Sequence, residues 1–177
     1  MSFLKKILIN LILIFLFFSI SARAETKVYF IDIDYLIKHS DLGKKILLEL
    51  ENLKNNNVEL IRKDENELKK IDDEINKTRN VLNKEELDIK IQNFKNKINL
   101  YENKKKSLND NFSTTRLNML NDFMNKVSPI IQKYMDDNSI TVLLDKKNIF
   151  IGDSNYDITE NIIIMVNKNW DSNGKIK

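Results

Sequence analysis

The 177-residue sequence lacks cysteine and contains only one histidine, one proline and three glycines. Without cysteine the chain has no disulfide, no thiol nucleophile and no thiol for a lipid anchor. The glycines, at positions 43, 152 and 174, are isolated, so they form no glycine-rich phosphate loop. His39 has no clustered metal-ligating neighbours, and we expect it to be exposed. We therefore predict no cofactor, no metal site and no catalytic residue.

The first 24 residues have the pattern of an export signal. A short basic segment, MSFLKK, precedes the apolar run ILINLILIFLFFSI, and Ala22 and Ala24 occupy the small-residue positions of a cleavage site. A membrane-spanning helix needs about 20 apolar residues, so this run is short for an anchor; an uncleaved anchor is the alternative. We expect cleavage after Ala24 and export to a compartment such as the bacterial periplasm.

The mature chain is formally neutral. Residues 1–24 contain Lys5, Lys6 and Arg23 but no acidic residue, which leaves 26 basic and 26 acidic residues in the rest. The total charge thus gives no reason to predict a nucleic acid as a partner. An exported chain without disulfides must be stabilised by core burial or by association with other subunits.

The middle of the chain has the periodicity of a coiled coil, with apolar residues at alternating spacings of three and four. The first seven-residue series consists of Ile61, Leu68, Ile75 and Leu82, with Ile71 between its members. The second consists of Leu87, Phe94, Tyr101 and Leu108, accompanied by Ile91, Ile98, Phe112 and Met119. Polar residues interrupt this seam at Asp64, Lys105 and Thr115. The remaining positions are mostly polar, so we expect a narrow apolar seam with solvated outer faces.

The register of the seam changes within VLNKEELD, where Asn83 and Glu86 have the spacing of a capping box. We therefore predict a helical hairpin arm over residues 41–128, with its tip at about 82–87. Forty helical residues span roughly 60 Å, so most of the arm must project into solvent. Pro129 is expected to kink or restart the returning helix and to form a hinge between arm and body.

The remaining residues, 25–40 and 129–177, are predicted to form a small body. KVYFID is a candidate strand, and ITVLLDKKNIFIG has the pattern of two strands around a polar turn. A final helix is expected to start at DITE, capped by Asp157 and Glu160, with Trp170 packed on the body. The fold class is α+β. A body this small is marginal alone, so we expect it to complete its core by oligomerisation.

Two aspartates in VYFIDIDYLI raise the alternative of an Asp-x-Asp phosphatase, because Asp32 and Asp34 follow an apolar strand. Phosphoryl transfer would also require a metal, a further acidic pair and a sheet of alternating strands and helices. Here a helical hairpin follows instead. We expect Asp32 to end the strand and Asp34 to cap the helical segment YLIKHS, and we do not predict an enzyme.

The order of these features resembles the Skp/OmpH family of periplasmic chaperones over essentially the whole mature chain. The resemblance is carried by the signal, KVYFIDIDYLI, the long hairpin, VSPII, ITVLLDKKNIFI and DIT before a final helix. It implies a homotrimer with a small β-barrel body and three helical arms around a cavity. It also implies an ATP-independent holdase that binds unfolded outer-membrane proteins there and prevents their aggregation. The best-known member is strongly basic, whereas this mature chain is neutral.

The returning arm is nevertheless basic over residues 90–116, a segment that contains seven cationic residues and only two acidic ones, Glu102 and Asp110. The seven are Lys90, Lys95, Lys97, Lys104, Lys105, Lys106 and Arg116. We predict that they attract acidic β-barrel clients or an anionic lipid surface, with Lys104, Lys105 and Lys106 as the best candidates for contact. The alternative is a solvated helix face enriched in lysine by coding bias.

A rival function from another class is a coiled-coil structural or adaptor protein of the cell envelope. Such adaptors use helical hairpins too, but they flank them with longer β-rich domains, for which this sequence has no counterpart.

Overall fold

The structure, a computed structural model, describes residues 26–170. The export signal and the cleavage site after Ala24 lie outside this part of the chain. The main elements, in order, are β1 (Val28–Ile31), α1 (Ile33–His39), α2 (Asp41–Thr78), α3 (Lys84–Asp137), β2 (Val142–Asp145) and α4 (Thr159–Asn169). Two short 3-10 turns, Lys146–Asn148 and Ser154–Tyr156, lie between β2 and α4. None of the helices in this range is both long and apolar enough to cross a membrane.

Helices α2 and α3 form the hairpin, and the predicted α+β architecture with a long helical hairpin on a small body is confirmed. α2 has 38 residues and α3 has 54, which correspond to about 57 Å and about 81 Å of helix. All the apolar residues of the predicted seam are buried or half-buried, whereas most of their neighbours are exposed. The narrow seam is therefore the contact that holds the two helices side by side.

The turn at the tip lies earlier in the chain than the sequence suggests, at residues 79–83. α2 ends at Thr78, whose carbonyl oxygen accepts hydrogen bonds from the backbone N–H groups of Val81 (3.0 Å) and Leu82 (3.1 Å). α3 begins with the expected cap, because the Asn83 side chain accepts a hydrogen bond of 2.9 Å from the Glu86 N–H. The descending helix thus ends four residues before Leu82. The division of the chain into arm and body domains stays a prediction.

A restart of the helix at Pro129 is wrong, whereas the expected kink and hinge stay predictions. α3 continues through Pro129 as far as Asp137. Proline removes one backbone donor and costs about 3 kcal/mol inside a helix. Here the adjacent Val127 and Ile130 are buried in the core, and this burial keeps the two flanking turns in place. Arm and body therefore share one continuous helix.

The sheet contains two parallel strands, with Val28 opposite Val142 and Ile31 opposite Asp145. The predicted second strand after β2 is absent from the described chain, so the expected β-hairpin is wrong. The Asp145 carboxylate accepts a hydrogen bond of 3.0 Å from the Lys147 N–H, and this bond turns the chain into a 3-10 helix. On the other edge of β1, the Ile158 N–H donates to the Phe30 carbonyl at 3.0 Å.

The core lies where the body meets the root of the arm. Its fully buried apolar side chains come from three helices, α1, α3 and α4: Leu36, Phe123, Val127, Ile162 and Val166. α2 adds Leu42, Ile46 and Leu50 from its first turns. A single cluster thus joins the sheet, the final helix and both arm helices.

Gly43 provides the testable feature of this junction. A Cβ atom at this position would lie 1.9 Å from the backbone oxygen of Ile37, where α1 passes against the first turn of α2. Backbone cannot move aside as a side chain can. We expect Gly43→Ala to destabilise the protein by about 3 kcal/mol, measured as a shift of the urea unfolding midpoint at fixed protein concentration.

Gly152→Ala is the matched control, because the nearest atoms to its new Cβ would belong to side chains: the edge of the Phe30 ring at 3.0 Å and Ile149 Cγ2 at 3.3 Å. We expect a smaller loss, since a side chain can adjust. Equal losses for the two variants would contradict the close approach of α1 and α2.

Candidate functional site

The two aspartates of VYFIDIDYLI have structural partners. Asp32, not Asp34, caps α1: its carboxylate accepts a hydrogen bond of 2.9 Å from the Tyr35 N–H. The expected cap at Asp34 is therefore wrong by two residues, because the helix begins at Ile33 and places Asp34 in its first turn. Asp34 instead forms an ion pair of 3.0 Å with Lys147. The Asp32 carboxylate thus starts α1, and the Asp34 carboxylate connects α1 to the 3-10 turn after β2.

A compact polar cluster lies between β1 and the start of α4. The buried Thr159 hydroxyl accepts a hydrogen bond of 2.9 Å from the Asp32 N–H. Asp157 accepts one of 3.0 Å from the Thr159 N–H and one of 2.8 Å from the Lys146 ammonium. Asp157 thus bonds to the first residue of the last helix, as expected, although the cap position itself is Ile158. Glu160 does not reach back to a cap; its carboxylate interacts with the Tyr35 hydroxyl and raises the pKa of that group.

Two opposing effects act on the pKa of Asp157. Partial burial alone would raise it, but the hydrogen bonds from Lys146 and Thr159 outweigh burial and lower the pKa below its ordinary value of 3.8. The ionised form is therefore the one that the fold stabilises.

His39 and Trp170 have separate neighbours in the structure. The exposed His39 ring stacks on Tyr35, with ring centroids 3.7 Å apart, and its Nδ1 lies 2.9 Å from the Tyr35 carbonyl oxygen. Trp170 is half-buried at the root of the arm, and the ammonium groups of Lys45 and Lys126 each lie 5.9 Å from its ring centroid. The expected packing of Trp170 on the body is confirmed.

Three of the seven predicted basic residues lie in an interhelical ladder of ion pairs between α3 and α2. The ladder consists of Lys90–Glu74 (2.7 Å), Lys97–Glu67 (2.6 Å) and Lys104–Asp64 (2.6 Å). The residues of the first two pairs each directly precede an apolar seam residue: Lys90, Lys97, Glu74 and Glu67. In an antiparallel pair of helices, positions of this kind face each other beside the seam. Hydrogen bonds from the two lysines lower the pKa values of both glutamates.

The third pair of the ladder explains an imperfection of the seam. Asp64 occupies a seam position, and its side chain is only 25% exposed. An unpaired carboxylate there would be costly. Lys104 reaches across from α3 and satisfies it, so Lys104 has a structural role that its sequence neighbours do not share.

The other four basic residues remain toward solvent. Within residues 26–170, Lys95, Lys106 and Arg116 are exposed and have no carboxylate within ion-pair distance. The Lys105 ammonium lies 5.5 Å from the centroid of the Tyr101 ring, and its hydrogen bond to Tyr101 raises its pKa. The single cluster seen in the sequence is thus divided into structural and free cations. Contact of any of them with a client or a lipid surface stays a prediction.

The body carries apolar side chains on its surface. Phe150 and Ile151, in the segment after β2, are 98% and 83% exposed. The two strands also carry exposed apolar side chains: Val28, Val142 and Leu144. Exposed apolar side chains mark an interaction surface in many soluble proteins where they form one patch.

The Asp157 cluster makes a prediction about pH. A lowered carboxyl pKa contributes stability above the unfolded-state pKa, and this contribution is lost as the pH falls through the folded-state pKa. We expect Asp157→Asn to cost about 1 kcal/mol at pH 7. The difference from the parent protein should shrink below pH 3.8, in urea unfolding followed across the pH range.

Asp110→Asn, an exposed carboxylate on the arm, controls for the loss of one negative charge. It should leave the unfolding midpoint unchanged. A difference between Asp157→Asn and the parent protein that is constant from pH 7 to acid would show that the charge of Asp157 is not what stabilises the cluster.

Comparison with known proteins places this architecture in a family. No curated protein sequence matches the chain. A crystal structure of a candidate outer membrane chaperone, OmpH-like, from Caulobacter crescentus CB15 has the same fold, with a TM-score of 0.73 and 15% sequence identity over 83% of this chain and 87% of that chain. The family model described as Outer membrane protein (OmpH-like) matches residues 27–165, from β1 to the middle of α4. The resemblance seen in the sequence is therefore confirmed, and the chain belongs to the OmpH-like family.

Proposed function

We propose that this protein is an ATP-independent holdase chaperone of the periplasm. It binds unfolded outer-membrane β-barrel proteins in a cavity between helical arms and prevents their aggregation. The observation that carries the proposal is the long hairpin, which projects from a small body in a chain of the OmpH-like family. The fold shared with an OmpH-like candidate outer membrane chaperone supports it. The proposal involves no catalytic step, no cofactor and no nucleic acid.

The arm is suited to binding without tight packing. Its own stability comes from the apolar seam and the ion-pair ladder, so its outer faces are free for an unfolded chain. Those faces are polar, with scattered exposed apolar residues: Val58, Leu60, Ile89, Leu100 and Leu117. Many weak contacts of this kind give affinity without demanding one sequence, because each apolar side chain that leaves water contributes a small free energy.

The cavity requires several arms, and we propose a homotrimer in which three bodies complete one core. A two-stranded sheet is only marginally stable by itself. The apolar surface formed by the strands and by Phe150 and Ile151 would be covered by neighbouring subunits. We also propose that the mature chain is released into the periplasm by cleavage after Ala24.

Electrostatic attraction would act before contact. Lys95, Lys105, Lys106 and Arg116 are not used in the ladder, so their field is available to acidic clients and to an anionic lipid surface. Lys90, Lys97 and Lys104 contribute less, since paired charges largely cancel at a distance.

The trimer leads to a prediction about the body. We expect residues 25–177 to have three times the protomer mass in light scattering. The double substitution Phe150→Ser and Ile151→Ser should shift the population toward monomer at micromolar concentration, because both side chains would leave an apolar subunit contact.

Ile89→Ser removes a similarly apolar, exposed side chain from the arm and should leave the mass unchanged. A monomeric parent protein would contradict the trimer. If that monomer also fails to keep a barrel protein soluble, the adaptor function becomes the better account.

The holdase function predicts that the mature protein, without nucleotide, prevents light scattering by an outer-membrane barrel protein diluted from urea. The triple substitution of Lys95, Lys106 and Arg116 to Gln should slow association with an acidic client about tenfold at low ionic strength. At 0.15 M salt the difference between the two association rates should become small, because exposed charges more than about 8 Å apart are then largely screened.

The matched control replaces three exposed lysines of the body that have no ion-pair partner within residues 26–170, Lys27, Lys38 and Lys168, by Gln. It removes the same formal charge, so an equal effect would assign the attraction to net charge and not to the arm. Association independent of salt in the parent protein would contradict electrostatic attraction altogether.

A further inference from the structure

The apolar seam opens into a groove halfway along the arm. The groove has a volume of about 470 Å³ and lies between α2 and α3. Its apolar floor is formed by Val58, Ile61, Leu108 and Phe112. Val58 and Glu65 directly follow seam positions, whereas the glutamates of the ladder precede them, so the groove is on the opposite side of the seam from the ladder.

Two polar residues explain why the groove is open: Lys105, which interrupts the seam on α3, and Asn57, which is seven residues before Asp64 and therefore extends the seam on α2. Lys105 points its ammonium toward the Tyr101 ring, at 5.5 Å, and leaves the seam unfilled. On α2, the Asn57 amide donates a hydrogen bond of 3.4 Å to the Leu108 carbonyl oxygen and adds no apolar surface. Val58 is consequently 58% exposed beside the seam. An apolar surface without an apolar cover can bind an apolar group from outside.

The rim of the groove is cationic. Lys54, Arg62 and Lys105 surround the floor, and Glu65 is the only acidic side chain among the lining residues that the structure describes. Glu65 already accepts a hydrogen bond of 2.6 Å from the Tyr101 hydroxyl. Within residues 26–170, no carboxylate lies within ion-pair distance of Lys54 or Arg62. A negatively charged group would therefore complement this rim.

We propose that this groove binds an aromatic side chain of an unfolded polypeptide in which acidic residues flank the aromatic one. The ring would cover Val58, Ile61 and Phe112, and the neighbouring carboxylates would meet the cationic rim. The inference deepens the proposed function, on which it rests, by naming a binding site and the chemistry of the client segment. Aromatic side chains bury 150–250 Å² each and are the strongest anchors available to a flexible chain.

The dimensions of the groove favour a side chain over a lipid tail. Its α2 wall extends from Lys54 to Glu65, about 16 Å along the helix. That length matches one or two side chains of a peptide. The polar residues along both walls, including Asn57 and Asn109, suit a peptide backbone better than a continuous hydrocarbon chain.

The test uses the mature protein and fluorescein-labelled glycine- and serine-rich peptides with a central Asp-Phe-Asp. We expect the anisotropy titration to show binding that weakens about tenfold when Phe is replaced by Ala, because the apolar contact is lost. Replacing both Asp residues by Lys should weaken binding by a similar factor. Arg62→Gln should reduce the preference for the Asp peptide over the Lys peptide.

Val58→Gln replaces an apolar part of the groove floor by a neutral polar side chain, at an exposed helical position that tolerates glutamine. It should weaken binding of the Asp-Phe-Asp peptide about tenfold, because apolar contact is lost and no charge is added. Leu117→Gln is the matched control: it makes the same kind of change at an arm residue that is 61% exposed and lies outside the groove. Equal affinities of the two variants overturn the proposal, provided that circular dichroism shows unchanged helix content.

The outcomes also separate this inference from the holdase function. If the protein fully suppresses barrel-protein aggregation and its peptide affinity is unchanged by Val58→Gln, the groove proposal is overturned and the holdase function stands. Peptide binding that depends on Val58, in a protein that fails to suppress aggregation, would support the groove and overturn the holdase. A change of molecular mass on Val58→Gln would assign the groove to a second copy of this chain and overturn the peptide as its occupant.

Discussion

The apolar seam between α2 and α3 is the interaction on which the arm depends. A hairpin that projects from a small body has no third layer to bury against, so the two helices must bury each other. They do so with one narrow row of half-buried side chains and with ion pairs beside it. Because the contact between the helices is so narrow, the rest of the helical surface stays in water, where the proposed client chain would reach it. The body then has only to hold the roots of the two helices together.

The long helices could be predicted from the sequence because their pattern is local. Seven-residue spacing shows the seam, and the cap at Asn83 marks the start of α3 within one residue. The body was harder, since its elements depend on contacts between distant residues. The apolar residues on both sides of Pro129 do not show by themselves that the helix continues through it, and nothing near Asp145 shows that β2 pairs in parallel with β1. The cap at Asp32 was missed because the pattern places the strand end and the helix start at adjacent residues.

The candidate site shows the same limit. The sequence identifies a basic returning helix, but it cannot tell which cations are already paired, because the partners are on the other helix. Register across the hairpin selects Lys90, Lys97 and Lys104 for the ladder. Lys104 was among the best candidates for contact, and it has a carboxylate partner within the arm. Lys105 in the seam was a sign in the sequence of a gap between the helices. The floor and rim of the groove could not be predicted, because their residues come from both helices.

The unbroken course of α3 also has a mechanical meaning. From Lys84 to Asp122 the helix is about 58 Å long and projects from the body. Its next two turns are fixed in the core by Phe123, Val127 and Ile130, so the projecting part behaves as a beam that is held at one end. The deflection of a beam held at one end grows with the cube of its length, so a slight curvature spread over many residues moves the tip a long way. Long helices bend gently at little cost. The proposed cavity between arms would then widen by elastic bending, with the backbone hydrogen bonds of the helix retained.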